Sequence, residues 1–207
     1  MLRLDHVVYA VPDLDAAAVR FREEFGLDST EGGRHERWGT ANRIVPLGDQ
    51  YLELAAALDE PVAAETAFGS GVLERAAGGG GWFTMAAVAD DLDAVASRLE
   101  IEVDSGSRMR LDGETVRWRM AGLDDPRREP WMPFFLTWDV RQDLHPGRAR
   151  AGHGVRATGI AWVEVRGDAE ALRTWLGGDE LPIRVTDGEP GIHGVAISTA
   201  DGELVID

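Results

Sequence analysis

His6 and Glu53 combine reactive side chains with positions that bring them together. His6 stands in an apolar run from Leu2 to Val11, and Glu53 in the run Tyr51-Leu52-Glu53-Leu54. Side chains alternate across a strand. Val7, Tyr9 and Val11 therefore share one face of the first run, which leaves His6, Val8 and Ala10 on the other; Leu52, Leu54 and Ala56 share a face of the second, opposite Tyr51, Glu53 and Ala55. If a helix backs the more apolar faces, His6 and Glu53 both look out from the concave side of a curved sheet. An imidazole and a carboxylate on one lining can share a divalent cation or a proton. They can also simply satisfy one another as a hydrogen-bonded pair.

A second group is cationic. Asp112-Gly113 signals a hairpin, and with Met109, Leu111, Val116, Trp118 and Met120 assigned to a helix-facing side, Arg108, Arg110, Arg117 and Arg119 are expected to face the cup. Four arginines on one face call for an anion, either a ligand carboxylate or the protein's own Asp and Glu. The same sorting puts Phe134, Leu136 and Trp138 against the helix, with Phe135, Thr137, Asp139 and Thr84 in front. Asn42 and Arg43 lie on a strand that reaches the cup or anchors a loop. His35, His145 and His153 occupy polar stretches and read as solvent-exposed.

A repeated unit must position these residues. A short apolar strand running into an acidic helix start occurs at His6 to Ala16, Thr84 to Ala94 and, more loosely, Ala161 to Ala171. The copies are almost evenly spaced, and His6 has Thr84 and Ala161 as counterparts. Asp13, Asp91 and Asp168 fall where helix N-caps belong. Hydrophobic periodicity and Gly-rich breaks predict β-α-β-β-β in residues 1–60, with strands at 2–11, 34–38, 41–47 and 50–57. Residues 61–81 read as a connector, a helix over 61–77 weakened by Gly69 and Gly71 and then a Gly-rich joint. A second β-α-β-β-β unit spans 82–140, with strands at 82–89, 107–111, 115–121 and 133–139. A linker at 141–156 leads to a shorter third unit over 157–207. The fold class is α+β, with repeated modules forming a curved-sheet cup.

Composition bounds the partners. The chain has 207 residues, 44% of them hydrophobic and 28% charged, with a formal net charge of −16 and no cysteine. That acidity argues against nucleic acid or an anionic membrane surface as partner. Without cysteine, thiolate catalysis and sulfur-ligated metals are excluded. The basic residues are all arginine, so lysine Schiff-base chemistry is excluded too. No apolar run approaches the roughly 18 residues of a membrane span and no signal-like segment opens the chain, so a cytoplasmic location is expected.

The repeat, the Asp5-His6-Val7 opening and Tyr51-Leu52-Glu53-Leu54 resemble the vicinal-oxygen-chelate superfamily of glyoxalase I, extradiol dioxygenases and bleomycin-resistance proteins. Gly39-Thr40-Ala41-Asn42, Leu111-Asp112-Gly113, Pro133 to Asp139, His145-Pro146 and Gly159 to Val165 are similar, more narrowly, to the glyoxalase-like domain family. The resemblance implies paired modules forming a cup, with a divalent metal held by a first-strand His and a last-strand Glu of each module. His6 and Glu53 fall on those positions in the first module. Thr84 and Thr137 take them in the second, where they would donate hydrogen bonds in place of metal ligands. His193 would complete a triad only if the third unit closed over the cup.

Glyoxalase I and extradiol dioxygenase activities are disfavoured, because neither ligand set is complete. The expected function is a cup binding a small anionic or oxygen-rich molecule. Metal-assisted or acid–base isomerase or lyase chemistry would use Glu53 as base or ligand and His6 as its partner, with one divalent metal as the cofactor implied. Asn42, Thr84, Thr137 and the four arginines would bind substrate. The alternative is a non-catalytic sequestering protein of the drug-resistance type, which would have a more aromatic lining. Superfamily cups are built from modules of one chain or of two, so a homodimer stays open.

Overall fold

The computed structural model describes residues 1–109 and 114–207. Strand β1 (Leu2–Ala10) is buried at all but one position because both of its faces are covered. The following helix α1 (Leu14–Phe25) starts where the Asp13 carboxylate accepts a hydrogen bond from the Ala16 N–H at 2.8 Å, which satisfies one of the free donors of a helix start. Strands β2 (Thr30–His35), β3 (Thr40–Pro46) and β4 (Tyr51–Ala57) complete the first module, with a 3-10 turn at Glu36–Trp38 where a strand was expected. β4 returns parallel to β1.

The connector holds two helices rather than one, α2 (Glu60–Ala64) and α3 (Ala67–Ala77). They separate at Thr66, whose hydroxyl caps α3 by accepting from the Gly69 N–H at 3.1 Å. Gly69 and Gly71 weaken the helix but permit its docking. A Cβ on Gly71 would lie 2.1 Å from the Phe83 ring, and one on Gly69 would lie 2.6 Å from the Trp38 carbonyl oxygen.

The second module repeats the first with β5 (Gly81–Ala89), α4 (Leu92–Leu99), β6 (Val103–Met109), β7 (Thr115–Ala121) and β8 (Pro133–Trp138). Asp91 caps α4 as Asp13 caps α1. β6 begins earlier than expected, and the Asp112-Gly113 turn lies outside the described residues. Antiparallel pairing of β1 with β5 joins the modules into one eight-stranded sheet, β2-β3-β4-β1-β5-β8-β7-β6. The sheet curls until its two edges meet. Gly33 of β2 packs on the Arg108 side chain of β6, and an Arg37–Asp104 ion pair ties the seam.

The third unit, β9 (Ala157–Arg166), α5 (Ala169–Leu176), β10 (Ile183–Thr186), β11 (Gly191–Thr199) and β12 (Gly202–Ile206), has the same element order but a different strand order, β10-β9-β11-β12. Its first strand pairs parallel with the strand just after the helix, whereas in the other two modules it pairs parallel with the last strand. Val163, Val165, Val195 and Ile197 share one buried apolar core with Val7, Tyr9, Met85 and Ala87 of the convex back of the curled sheet. Trp175 stacks on Phe135 with ring centroids 5.7 Å apart and donates to the Pro133 carbonyl at 2.8 Å. The third unit thus braces the back of the cup and does not close over it. His193 is held there by the Glu189 carbonyl at 2.9 Å, remote from His6 and Glu53.

A second apolar cluster fills the concave side: Val8, Ala10, Ala55, Phe83, Ala86, Val116, Trp118, Met120, Phe134 and Leu136, with Phe68 and Val72 entering from α3. This reverses the faces expected for the second module. Phe134, Leu136, Val116, Trp118 and Met120 point inward, and Phe135 points to the back. The expectation treated the cup face as polar, but a nearly closed barrel excludes water, so apolar side chains are favoured inside.

Candidate functional site

The site begins with an irregularity in β1. Leu4 pairs with Ala87 and His6 with Ala86, so Asp5 is an extra residue on the β1 side of the ladder. Such a bulge re-aims a side chain. The Asp5 carboxylate lies 2.7 Å from His6 Nδ1, 3.1 Å from Trp138 Nε1 and 3.1 Å from His145 Nε2. Burial pushes its pKa upward, but the hydrogen bonds from His145 and His6 hold it at about 2, so it is a carboxylate at neutral pH.

The tautomers follow from these partners. A carboxylate only accepts, so His6 Nδ1 carries the hydrogen. His145 Nδ1 accepts from the Gly147 N–H at 3.1 Å, so its Nε2 donates to Asp5. The remaining His6 nitrogen, Nε2, faces Glu53 Oε2 at 3.5 Å. Asn42 anchors the other Glu53 oxygen: its Nδ2 donates to Oε1 at 2.7 Å while its Oδ1 accepts from the Gly33 N–H at 2.8 Å. Both oxygens of Glu53 are thereby oriented, and the imidazole is fixed by a carboxylate behind it. A neutral imidazole nitrogen and a carboxylate oxygen attract only when a proton lies between them. A proton placed between the two atoms would join them.

These groups form one wall of a cavity of ≈ 50 Å³. Tyr51 stacks on His6 with centroids 4.4 Å apart. Burial, and then the charges of Asp5 and Glu53, raise its pKa well above the usual phenol value, so it stays a neutral donor. His35, buried beside Thr40, is held neutral by the same desolvation. Arg108 also lines the cavity, as do Trp38, Phe68, Trp118, Met120, Phe134 and Trp138. His35, Trp38, Asn42 and Arg108 belong as well to a wider groove along the β2–β6 seam.

The pseudo-symmetry of the modules explains why only one wall is polar. The operation carrying His6 to Thr84 carries Val8 to Ala86. Val8 pairs with Glu53 and Ala86 with Phe134, so the counterpart of Glu53 is Phe134 and not Thr137. By the same registers, Asn42 corresponds to Met120. A polar trio of His6, Asn42 and Glu53 thus faces Thr84, Met120 and Phe134.

Of the residues expected at the site, the structure gathers His6, Asn42, Glu53 and Arg108 around the cavity. Thr84 is fully buried, and its hydroxyl accepts from Arg128 at 3.1 Å. That guanidinium also binds the carbonyls of Gly122, Leu123 and Met132, and burial lowers its pKa to about 10. Arg117 is exposed; Arg119 pairs with Asp93 of α4 on the outer surface, opposite Thr137. Arg117, Arg119 and Thr137 point away from the cup because the inward positions of β7 and β8 are taken by the large apolar residues. Arg110 lies outside the described residues. His35 is buried and His145 largely so, rather than solvent-exposed, and Trp138 turns to the cup, where its indole N–H donates to Asp5.

The described donor atoms at the cavity wall are too few for a divalent metal. His6 Nε2 and Glu53 Oε2 converge, but Asn42 is committed to Gly33 and Glu53, Thr84 to Arg128, and Phe134 has no donor atom. Among the described residues no group of three or more His, Cys, Asp or Glu could hold an ion. Two protein ligands do not fit a resident metal.

Two β-α-β-β-β modules closed on an inward His and Glu define a vicinal-oxygen-chelate protein. The Glyoxalase-like domain family matches residues 4–181, and the chain belongs to that family. A solved structure of a hypothetical protein from Staphylococcus aureus is similar at 18% identity and TM-score 0.66, covering 99% of this chain and 84% of that one. A methylmalonyl-CoA epimerase from Mycobacterium tuberculosis aligns over 65% of this chain and 85% of its own, at 22% identity and TM-score 0.45. One from Streptomyces coelicolor aligns over 67% and 98%, at 20% identity and TM-score 0.47. No curated protein sequence matches the chain. Among the described residues no helix is long and apolar enough to cross a membrane.

Proposed function

We propose that this protein binds a small organic molecule with a carbonyl or carboxylate head and an apolar body, and moves a proton on it. The observation that carries the reading is the His6–Glu53 contact at 3.5 Å inside the cavity, with Asp5 fixing the imidazole from behind. The head would lie against His6, Glu53, Tyr51 and Arg108, and the body against Trp118, Met120 and Phe134. Glu53 as carboxylate takes the proton from the carbon beside the carbonyl; the electron pair moves onto the carbonyl oxygen, near the Arg108 guanidinium and the Tyr51 hydroxyl. Return of the proton from Glu53 or from protonated His6, to another face or atom, gives the isomer. The step requires no metal.

The aromatic wall also favours the second reading, a sequestering protein that binds the same class of molecule without reaction. One experiment separates them. Small alkyl and aryl 2-oxo acids and ketones are incubated with the protein in D₂O, and loss of the α-proton signal is followed by NMR. The proposal expects binding with exchange, reduced at least ~100-fold in Glu53→Gln. Binding with exchange no faster than in buffer identifies a sequestering protein, and absence of binding overturns both readings.

A further inference from the structure

Helix α3 belongs to neither module, yet one of its side chains forms a wall of the cavity. The aromatic rings mark out the interior. At the polar end Tyr51 stacks on His6. Further along, His35 stands 5.7 Å from Trp38 and 6.2 Å from Trp118. At the far end Phe68 packs between Trp38 at 6.0 Å and Phe83 at 5.8 Å, and its ring lines the cavity. We propose that Phe68 sets the length of ligand this protein accepts, by closing the end of the cavity away from His6 and Glu53.

The wall is held from behind. The Gly69 backbone lies against the Trp38 carbonyl and Gly71 against the Phe83 ring, so α3 has no room to settle deeper. It is anchored at its start by the Thr66 cap. The neighbouring Val72 is fully buried in the same apolar cluster but is not part of the cavity wall. Phe68 is therefore a position where truncation lengthens the ligand space, while truncation of Val72 only loosens packing. The inference rests on the cavity being the ligand site proposed above, with the polar head at His6 and Glu53.

The test uses two homologous series of increasing chain length, n-alkyl carboxylates and n-alkanols, titrated by NMR into wild type, Phe68→Ala, Phe68→Leu and Val72→Ala. Wild-type affinity should rise with length and then fall. In Phe68→Ala the optimum should move by about two carbons, each tightening binding about fourfold; in Phe68→Leu, which keeps an apolar wall if the alanine variant fails to fold, by about one. Val72→Ala should leave the optimum in place. An unchanged optimum in both Phe68 variants, or an equal shift in Val72→Ala, overturns the proposal. A length shift seen with alkanols but no carboxylate preference supports the role of Phe68 and removes the head-group reading. A carboxylate preference without a length shift does the reverse. Failure of both series to bind any variant overturns both.

Discussion

Asp5→Asn tests the foundation of the site. The substitution removes a buried charge and turns one acceptor oxygen into a donor. Oδ2 now accepts from His6 Nδ1, and Oδ1 from Trp138 and His145. Whichever way the amide is placed, its NH₂ meets an N–H donor. Two contributions set the magnitude. The Asp5 pKa of about 2, against an ordinary aspartate value of 3.8, corresponds to about 2 kcal/mol of native-state stabilisation. An unsatisfied buried donor costs about 1–3 kcal/mol more. A loss of roughly 3–5 kcal/mol is expected, or about 6–20 °C in Tm for a chain of this size.

The pH dependence has a definite sign. A carboxyl whose folded pKa is depressed stabilises the fold above its unfolded pKa, and that stabilisation is lost as pH falls through the folded value. The ionic part of the gap between wild type and Asp5→Asn should be complete at pH 6, about halved by pH 3, and gone below pH 2. Urea unfolding across this range measures it. A gap under about 1 kcal/mol at pH 7, or one that stays constant down to pH 3, would refute the assignment of Asp5 as the buried carboxylate that fixes His6.

Three further outcomes follow from the geometry. Arg117→Ala and Arg119→Ala should leave carboxylate binding unchanged by calorimetry, whereas Arg108→Met should weaken it at least ~10-fold, because only Arg108 of these lines the cavity. Gly71→Ala should destabilise by about 1–3 kcal/mol in thermal unfolding despite alanine's better helix propensity, since its Cβ would sit 2.1 Å from the Phe83 ring. Phe134→Glu places a carboxylate at the counterpart of Glu53 and should raise Ni²⁺ affinity at least ~10-fold over wild type by calorimetry. Equal affinity would mean that wild type already holds a full ligand set.

The first and last strands of the first module were legible in the sequence because each has one more apolar parity, whereas the glycine-rich β2 carries no such alternation and was expected at 34–38 instead of Thr30–His35. His6 and Glu53 emerged as the residues that break the apolar runs on the other face, and both line the cavity. The second module misled the same rule. Its interior is apolar while the outer side of β7 is largely solvated, so on that strand the hydrophobic set faces the cup and Arg117 and Arg119 face outward, while Arg108 on β6 lines the cavity. Local signals also placed the helix starts at Asp13, Asp91 and Asp168, whose carboxylates cap backbone N–H groups three or fewer residues away.

Long-range partners were beyond reach. His145 meets Asp5 across most of the chain, and nothing in its polar surroundings distinguishes it from a surface histidine. Asp5 did carry a signal: a charge within an apolar strand, next to a histidine, requires a buried partner. The counterpart of Glu53 required strand register. Repeat alignment alone pointed to Thr137, whereas the pairing of β5 with β8 identifies Phe134.

The central claim is that the Glu53–His6 pair, and not a bound metal, moves the proton. Its most direct measurement is α-proton exchange in D₂O by protein stripped with chelator, compared with untreated protein and with Glu53→Gln. The account predicts equal rates before and after stripping and a loss of at least ~100-fold in the variant. Exchange that disappears on stripping and returns with one equivalent of a divalent ion would contradict it.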